Sequence, residues 1–129
     1  MLVQQILKSK NVPGVLTVGS DATVAEAAQV LSEKKLGAVI VSDDGETPLG
    51  ILSERDIVRE LGRRGPGCLE YRVTEMMTSK LVTCTVADTS DVVLEKMTEG
   101  RFRHLPVMDG ARMTGLISIG DVVKARLAE

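Results

Sequence analysis

Gly50-Ile51-Leu52-Ser53-Glu54-Arg55-Asp56-Ile57-Val58 returns 65 positions later as Gly115-Leu116-Ile117-Ser118-Ile119-Gly120-Asp121-Val122-Val123. Both stretches read glycine, two aliphatics, serine, two variable residues, aspartate, two aliphatics. Self-similarity at a fixed spacing is the mark of a repeated architecture. Upstream the offset becomes 66: Thr17 pairs with Thr83, Thr23 with Thr89, Leu31 with Met97, Val41 with Val107 and Asp43 with Asp109. The one-residue change falls between Asp43-Asp44-Gly45 and Asp109-Gly110, turn sequences in which a length difference costs little. The lead-in repeats too, since Val3-Gln4-Gln5-Ile6-Leu7 resembles Val73-Thr74-Glu75-Met76-Met77.

Periodicity orders each copy. Residues 15–18 and 81–86 are short β-rich segments. Residues 22–35 carry Val24, Ala27, Ala28 and Leu31 at helical spacing, and Thr23 with Glu26 forms a capping-box signature. The matching helix, 89–99, buries Val93, Leu94 and Met97. Second strands follow at 38–41 and 105–108, where Pro106 implies an edge or a strand start. Third strands at 49–52 and 113–117 precede helices that begin near each serine and run to Leu61 and Leu127. The expected fold is α/β (α+β), two tandem β-α-β-β-α repeats. One repeat of roughly 60 residues buries too little surface to be safe alone, so the two are expected to pack sheet to sheet. The expected division is 1–64 for the first repeat with its lead-in helix, 65–72 for a connector and 73–129 for the second repeat. The Gly62-Arg63-Arg64-Gly65-Pro66-Gly67 stretch reads as the turn-rich join.

Composition narrows the function. In 129 residues, 43% are apolar and 26% charged, which suits a folded domain. Aromatics are only 2%, and the net charge is -2. Neither base stacking nor attraction to a polyanion is favoured, so no nucleic acid is expected as a partner. One histidine and two cysteines, Cys68 and Cys84, give no metal cluster, and no run is apolar enough to span a bilayer. The cysteines read as structural thiols in a reducing, cytoplasmic setting.

Ser-x-x-Asp at Ser53/Asp56 and Ser118/Asp121 admits two readings. As a cap, the serine accepts a free backbone N–H and the aspartate complements the positive helix end. As a ligand site, the helix end holds a phosphate while the carboxylate takes two vicinal ribose hydroxyls. Arg101-Phe102-Arg103-His104 lies just before the second-repeat strand and offers groups that neutralise phosphate. The first repeat has Leu36-Gly37-Ala38 there, so phosphate binding is expected mainly in the second.

These residues, with Arg103-His104-Leu105-Pro106-Val107, resemble the tandem cystathionine-β-synthase (CBS) domain pair, or Bateman module, from about Val3 to Leu127. The resemblance implies a regulatory, non-enzymatic module with clefts for AMP, ADP, ATP, NAD or S-adenosylmethionine, AMP foremost. In the second-repeat cleft it implies Asp121 on the ribose, Ser118 on phosphate or ribose, and Arg103 and His104 on phosphate. Val15, Leu16 and Thr17, with Leu105, Pro106, Ile119 and Gly120, would enclose the ligand. The weaker first-repeat cleft would use Gly37, Ala38, Ser53, Arg55, Asp56, Leu81, Val82 and Thr83. Lys80, Arg55 and Arg103 could each reach a second phosphate. A homodimer acting on a protein partner in trans is implied as well.

Two other classes fit less well. An enzyme would need His104 within reach of a serine and an aspartate, and neither serine sits in a G-x-S-x-G elbow. A ligand-free, dimerising scaffold would use the methionines Met76, Met77, Met97, Met108 and Met113 as an adaptable surface, although methionine more often fills core gaps.

Overall fold

The structure, a computed structural model, describes residues 1–10 and 15–129. It forms two compact units: Leu16–Leu81, and Met1–Val15 together with Val82–Glu129.

In the unit Leu16–Leu81, strands β1 (Thr17–Val18), β2 (Ala38–Val41) and β3 (Gly50–Ser53) lie in the order β1-β2-β3. β1 runs parallel to β2, with Val18 opposite Val41, and β3 runs antiparallel, with Ala38 opposite Ser53. Helix α2 (Val24–Lys34) starts on the expected box: Thr23 Oγ1 accepts the Glu26 N–H at 3.1 Å. Its apolar stripe, Val24, Ala27 and Leu31, meets Val39, Val41 and Leu52 of the sheet and Ile57 of α3 (Glu54–Arg64) in one core.

The second unit repeats this plan around a hairpin of β4 (His104–Asp109) and β5 (Arg112–Ser118). Gly110, at φ 62°, supplies the left-handed residue of its turn. Helices α4 (Ser90–Gly100) and α5 (Ile119–Leu127) contribute Val93, Met97, Val122 and Ala125 to a core with Leu105, Val107 and Ile117. Both repeats end their first helix alike: Lys35 (φ 54°) and Arg101 (φ 57°) are left-handed. The N–H groups of Leu36 and Phe102 then reach back to Leu31 O and Met97 O, closing the helix ends.

The lead-ins cross over. Helix α1 (Val3–Ser9) buries Val3 and Ile6 in the core of the second-repeat unit, with the Val3 N–H on Asp88 O at 2.9 Å. Conversely, Val73 is buried in the first-repeat core, and its N–H donates to Ala22 O at the same 2.9 Å. Each lead-in thus helps fill the core formed by the other repeat's strands and helices.

Three expectations are corrected. Of residues 15–18, only Thr17–Val18 forms a strand, and of 81–86 only Cys84 pairs, bridging Val107. Its neighbours are engaged elsewhere: Thr83 O accepts Lys96 Nζ at 2.8 Å, and the Thr85 N–H goes to Asp88 Oδ2 at 2.8 Å. Pro106 fits this thin edge, because its carbonyl accepts the Cys84 N–H and its missing donor would face the same side. The 62–67 stretch, read as rich in turns, is instead largely helical. α3 runs through Gly62 to Arg64, where Arg63 and Arg64 pair with Glu60 at 3.5 and 2.9 Å. A 3-10 turn, Pro66–Glu70, then buries Cys68. Both cysteines are buried free thiols, as expected, and burial pushes the Cys84 thiol up to about 11. Met97 and Met113 are buried, and Met76 and Met77 pack against the first-repeat core.

Candidate functional site

Each third strand ends in a serine whose extended backbone (ψ 158° at Ser53, 162° at Ser118) turns the chain into a helix. Ser53 Oγ accepts the Asp56 N–H at 3.2 Å, and Ser118 Oγ accepts the Asp121 N–H at 3.0 Å. In return Asp56 Oδ2 accepts the Ser53 N–H at 3.0 Å, and Asp121 Oδ2 accepts the Ser118 N–H at 2.9 Å. The capping reading is thus realised at both copies, and each carboxylate also complements the helix dipole. Neither carboxylate stands out in bulk water: their side chains are 14% and 21% exposed.

A further backbone bond ties each cap to the neighbouring strand. The Glu54 N–H donates to Gly37 O and the Ile119 N–H to Arg103 O, both at 2.9 Å. With Ala38 opposite Ser53 and His104 opposite Ser118, Gly37-Ala38 and Arg103-His104 occupy the same place in the two repeats. One strand end therefore carries a guanidinium and an imidazole beside its Ser-x-x-Asp turn, and the other carries neither. Arg103 is exposed and His104 half-buried. Arg101, the first residue of the expected basic loop, serves in the left-handed cap of α4.

The remaining expected residues divide. Ile119, Gly120 and Arg55 are exposed in the first turns of α5 and α3. Leu105 points into its own unit's core and is fully buried, so it has no side chain to offer a ligand; Pro106 is buried, on the alternate strand face with His104. Val15, Leu16 and Thr17, and likewise Leu81, Val82 and Thr83, lie where the chain passes from one unit into the other. Leu16 and Val82 are exposed. Lys80 is exposed as well.

Two cations were not anticipated. Arg59 Nη2 donates to Asp56 Oδ1 at 3.0 Å from one turn along the same helix. Lys10 Nζ pairs with Asp121 Oδ2 at 2.9 Å and donates to Leu116 O at 2.8 Å. Extending the lead-in repeat by three residues aligns Lys10 with Lys80, a signal present in the sequence. A cleft of about 390 Å³ opens here, its lining including Gln5, Ser9, Lys10, Asp121, Lys124 and Ala125. Among the described residues no cluster could hold a metal ion, and no helix is long and apolar enough to cross a membrane.

The family model described as CBS domain matches residues 5–63 and 73–128. Among solved structures, a CBS-domain-containing protein of Agrobacterium tumefaciens is 44% identical, with a TM-score of 0.92 over 98% of this chain and 99% of that one. A mitochondrial CBS domain-containing protein of Arabidopsis thaliana is 35% identical over 85% of this chain, which spans 55% of that protein's length. At 23% identity and a TM-score of 0.84, covering 99% of this chain and 97% of the other, the same fold occurs in a CBS domain pair solved with 5′-methylthioadenosine and S-adenosyl-L-methionine.

Proposed function

The chain belongs to the CBS-domain family, with two copies in tandem, and from that premise we propose that it is a regulatory module that binds an adenosine-containing ligand and passes occupancy to a protein partner. One observation carries the reading. His104 stands opposite Ser118, and Asp121 follows one turn later, so groups suited to phosphate lie beside a half-buried carboxylate suited to a ribose diol.

The roles follow from chemistry. Asp121 accepts the sugar hydroxyls, Arg103 and His104 face the phosphate, and Ser118 supports either. Both ligands named for the similar CBS domain pair contain adenosine, which supports this ligand class. AMP fits the single strand end that carries Arg103 and His104; ADP, ATP and NAD share its adenosine monophosphate portion. The first-repeat turn, with Gly37 and Ala38 in place of those groups, binds more weakly. Signalling follows if the ligand binds one arrangement of the module better than another.

Self-association as a homodimer belongs to the same reading. Val58, Val123 and Leu127, which are 67%, 48% and 83% exposed, support it. Light scattering after size exclusion checks the state directly.

A ligand-free interaction scaffold is the second reading, favoured by the fact that both Ser-x-x-Asp turns close on themselves as caps. Thermal-shift and calorimetric titration with AMP, ATP, NAD and S-adenosylmethionine separates the two. A rise in melting temperature with any of them supports the sensor, and no response at millimolar concentration supports the scaffold.

A further inference from the structure

We propose that Lys10 is a specificity-determining residue of the second-repeat site, making it prefer a phosphorylated adenosine ligand to the neutral nucleoside. The inference rests on the nucleotide-binding reading above and adds to it the residue that sets ligand charge.

Lys10 reaches Asp121 because α1 is fixed. Val3 and Ile6 are buried in the unit's core, and the Met1 carbonyl accepts the Ser90 N–H at 2.8 Å. Following directly on this helix, Lys10 has a side chain that is 30% exposed. Its ammonium carries three N–H donors. One is directed to Leu116 O at 2.8 Å and one to Asp121 Oδ2 at 2.9 Å, which leaves a third for a ligand oxygen.

The effect on ligand charge follows. A lone aspartate that takes ribose hydroxyls also repels a phosphate one sugar away. With Lys10 held against it, the Asp121 charge is balanced where it stands. Lys124 is also among the residues lining the same cleft, which adds a second basic side chain to it. Among the described residues, no lysine is paired with Asp56 in the first repeat. Arg59 on Asp56 comes from the same helix, is 55% exposed and is screened by water.

Calorimetric titration of AMP and of adenosine into the whole chain, its Lys10→Met variant and its Lys10→Arg variant tests this. AMP binding is expected to weaken about tenfold in Lys10→Met, the scale of one charge-assisted hydrogen bond, with adenosine held within about twofold. Lys10→Arg keeps the preference. If Lys10→Met does not fold, Lys10→Gln, which retains a donor for the Leu116 carbonyl but no charge, carries the same comparison. Equal weakening of both ligands makes Lys10 a structural lock and overturns this inference alone, as does an unchanged ratio. Absence of binding of either ligand to the unsubstituted chain overturns both this inference and the nucleotide reading.

Discussion

Lys10 Nζ lies 2.9 Å from Asp121 Oδ2, so a residue at the end of the lead-in helix balances a carboxylate near the far end of the chain. This contact is the outcome of the exchanged lead-ins. α1 has to pack on the second-repeat unit before its following lysine can reach α5, and the mirrored bonds from Val3 to Asp88 and from Val73 to Ala22 hold both exchanges in place.

The Lys10–Asp121 pair is part-buried and doubly anchored, whereas Arg126–Asp91, at 3.1 Å, has partners 49% and 78% exposed. A double-mutant cycle on each pair, read by urea unfolding, is expected to give a coupling of about 0.5–1 kcal/mol for Lys10–Asp121 and about zero for Arg126–Asp91. Equal couplings would show that the second anchor on Leu116 adds nothing.

Removing the capping hydroxyls tests the local role of the repeated motif. Ser53→Ala and Ser118→Ala are each expected to cost about 0.5–2 kcal/mol, because an N–H at the start of α3 or α5 loses its acceptor. Chemical denaturation of the two variants measures it.

Two glycines should respond in opposite directions to alanine. A β-carbon at Gly50 would overlap the Met77 side chain and come within 2.9 Å of Thr78 O, whose segment bridges Ile51. Gly50→Ala is expected to destabilise by about 1–3 kcal/mol, the usual scale of overpacking. At Gly62, inside α3, no atom lies within 4 Å of the added carbon, and Gly62→Ala is expected to stabilise by about 0.5–1 kcal/mol. Thermal melts of both variants check the pair of signs.

Burial raises the Cys84 thiol from 9.0 to about 11. The folded state therefore holds the proton more tightly than the unfolded chain, and the sign follows: this contribution is fully present below pH 9 and is lost as pH rises towards 11. Urea midpoints are expected to fall across that window, and less steeply in Cys84→Ala. Thiol alkylation at neutral pH should be slow until the chain is unfolded.

What was legible in the sequence follows from which interactions are local. The Thr23–Glu26 box and the two serine caps involve residues three apart, so sequence spacing alone exposes them. The strand cores of 38–41 and 105–108 were readable from aliphatic runs. Segments whose state depends on side-chain competition were not: Thr83 and Thr85 have strand-forming character, yet Lys96 and Asp88 take their backbone groups. Gly62 read as a breaker, but three salt-bridge contacts from Arg59, Arg63 and Arg64 to Glu60 run along this part of α3. The lead-in exchange and the Lys10 contact are tertiary, and no periodicity within one repeat encodes them. Leu105 lies in the family-like Arg103–Val107 string, but strand alternation turns its side chain into the core.

Calorimetric titration of AMP into the unsubstituted chain, Asp121→Asn and Asp56→Asn is the most direct measure of the sensor reading. The asparagine keeps an acceptor for the serine N–H and removes the charged acceptor from the sugar. The account predicts binding to the unsubstituted chain, a loss of about tenfold or more in Asp121→Asn and a much smaller change in Asp56→Asn. AMP binding that is as tight in folded Asp121→Asn as in the unsubstituted chain would contradict it.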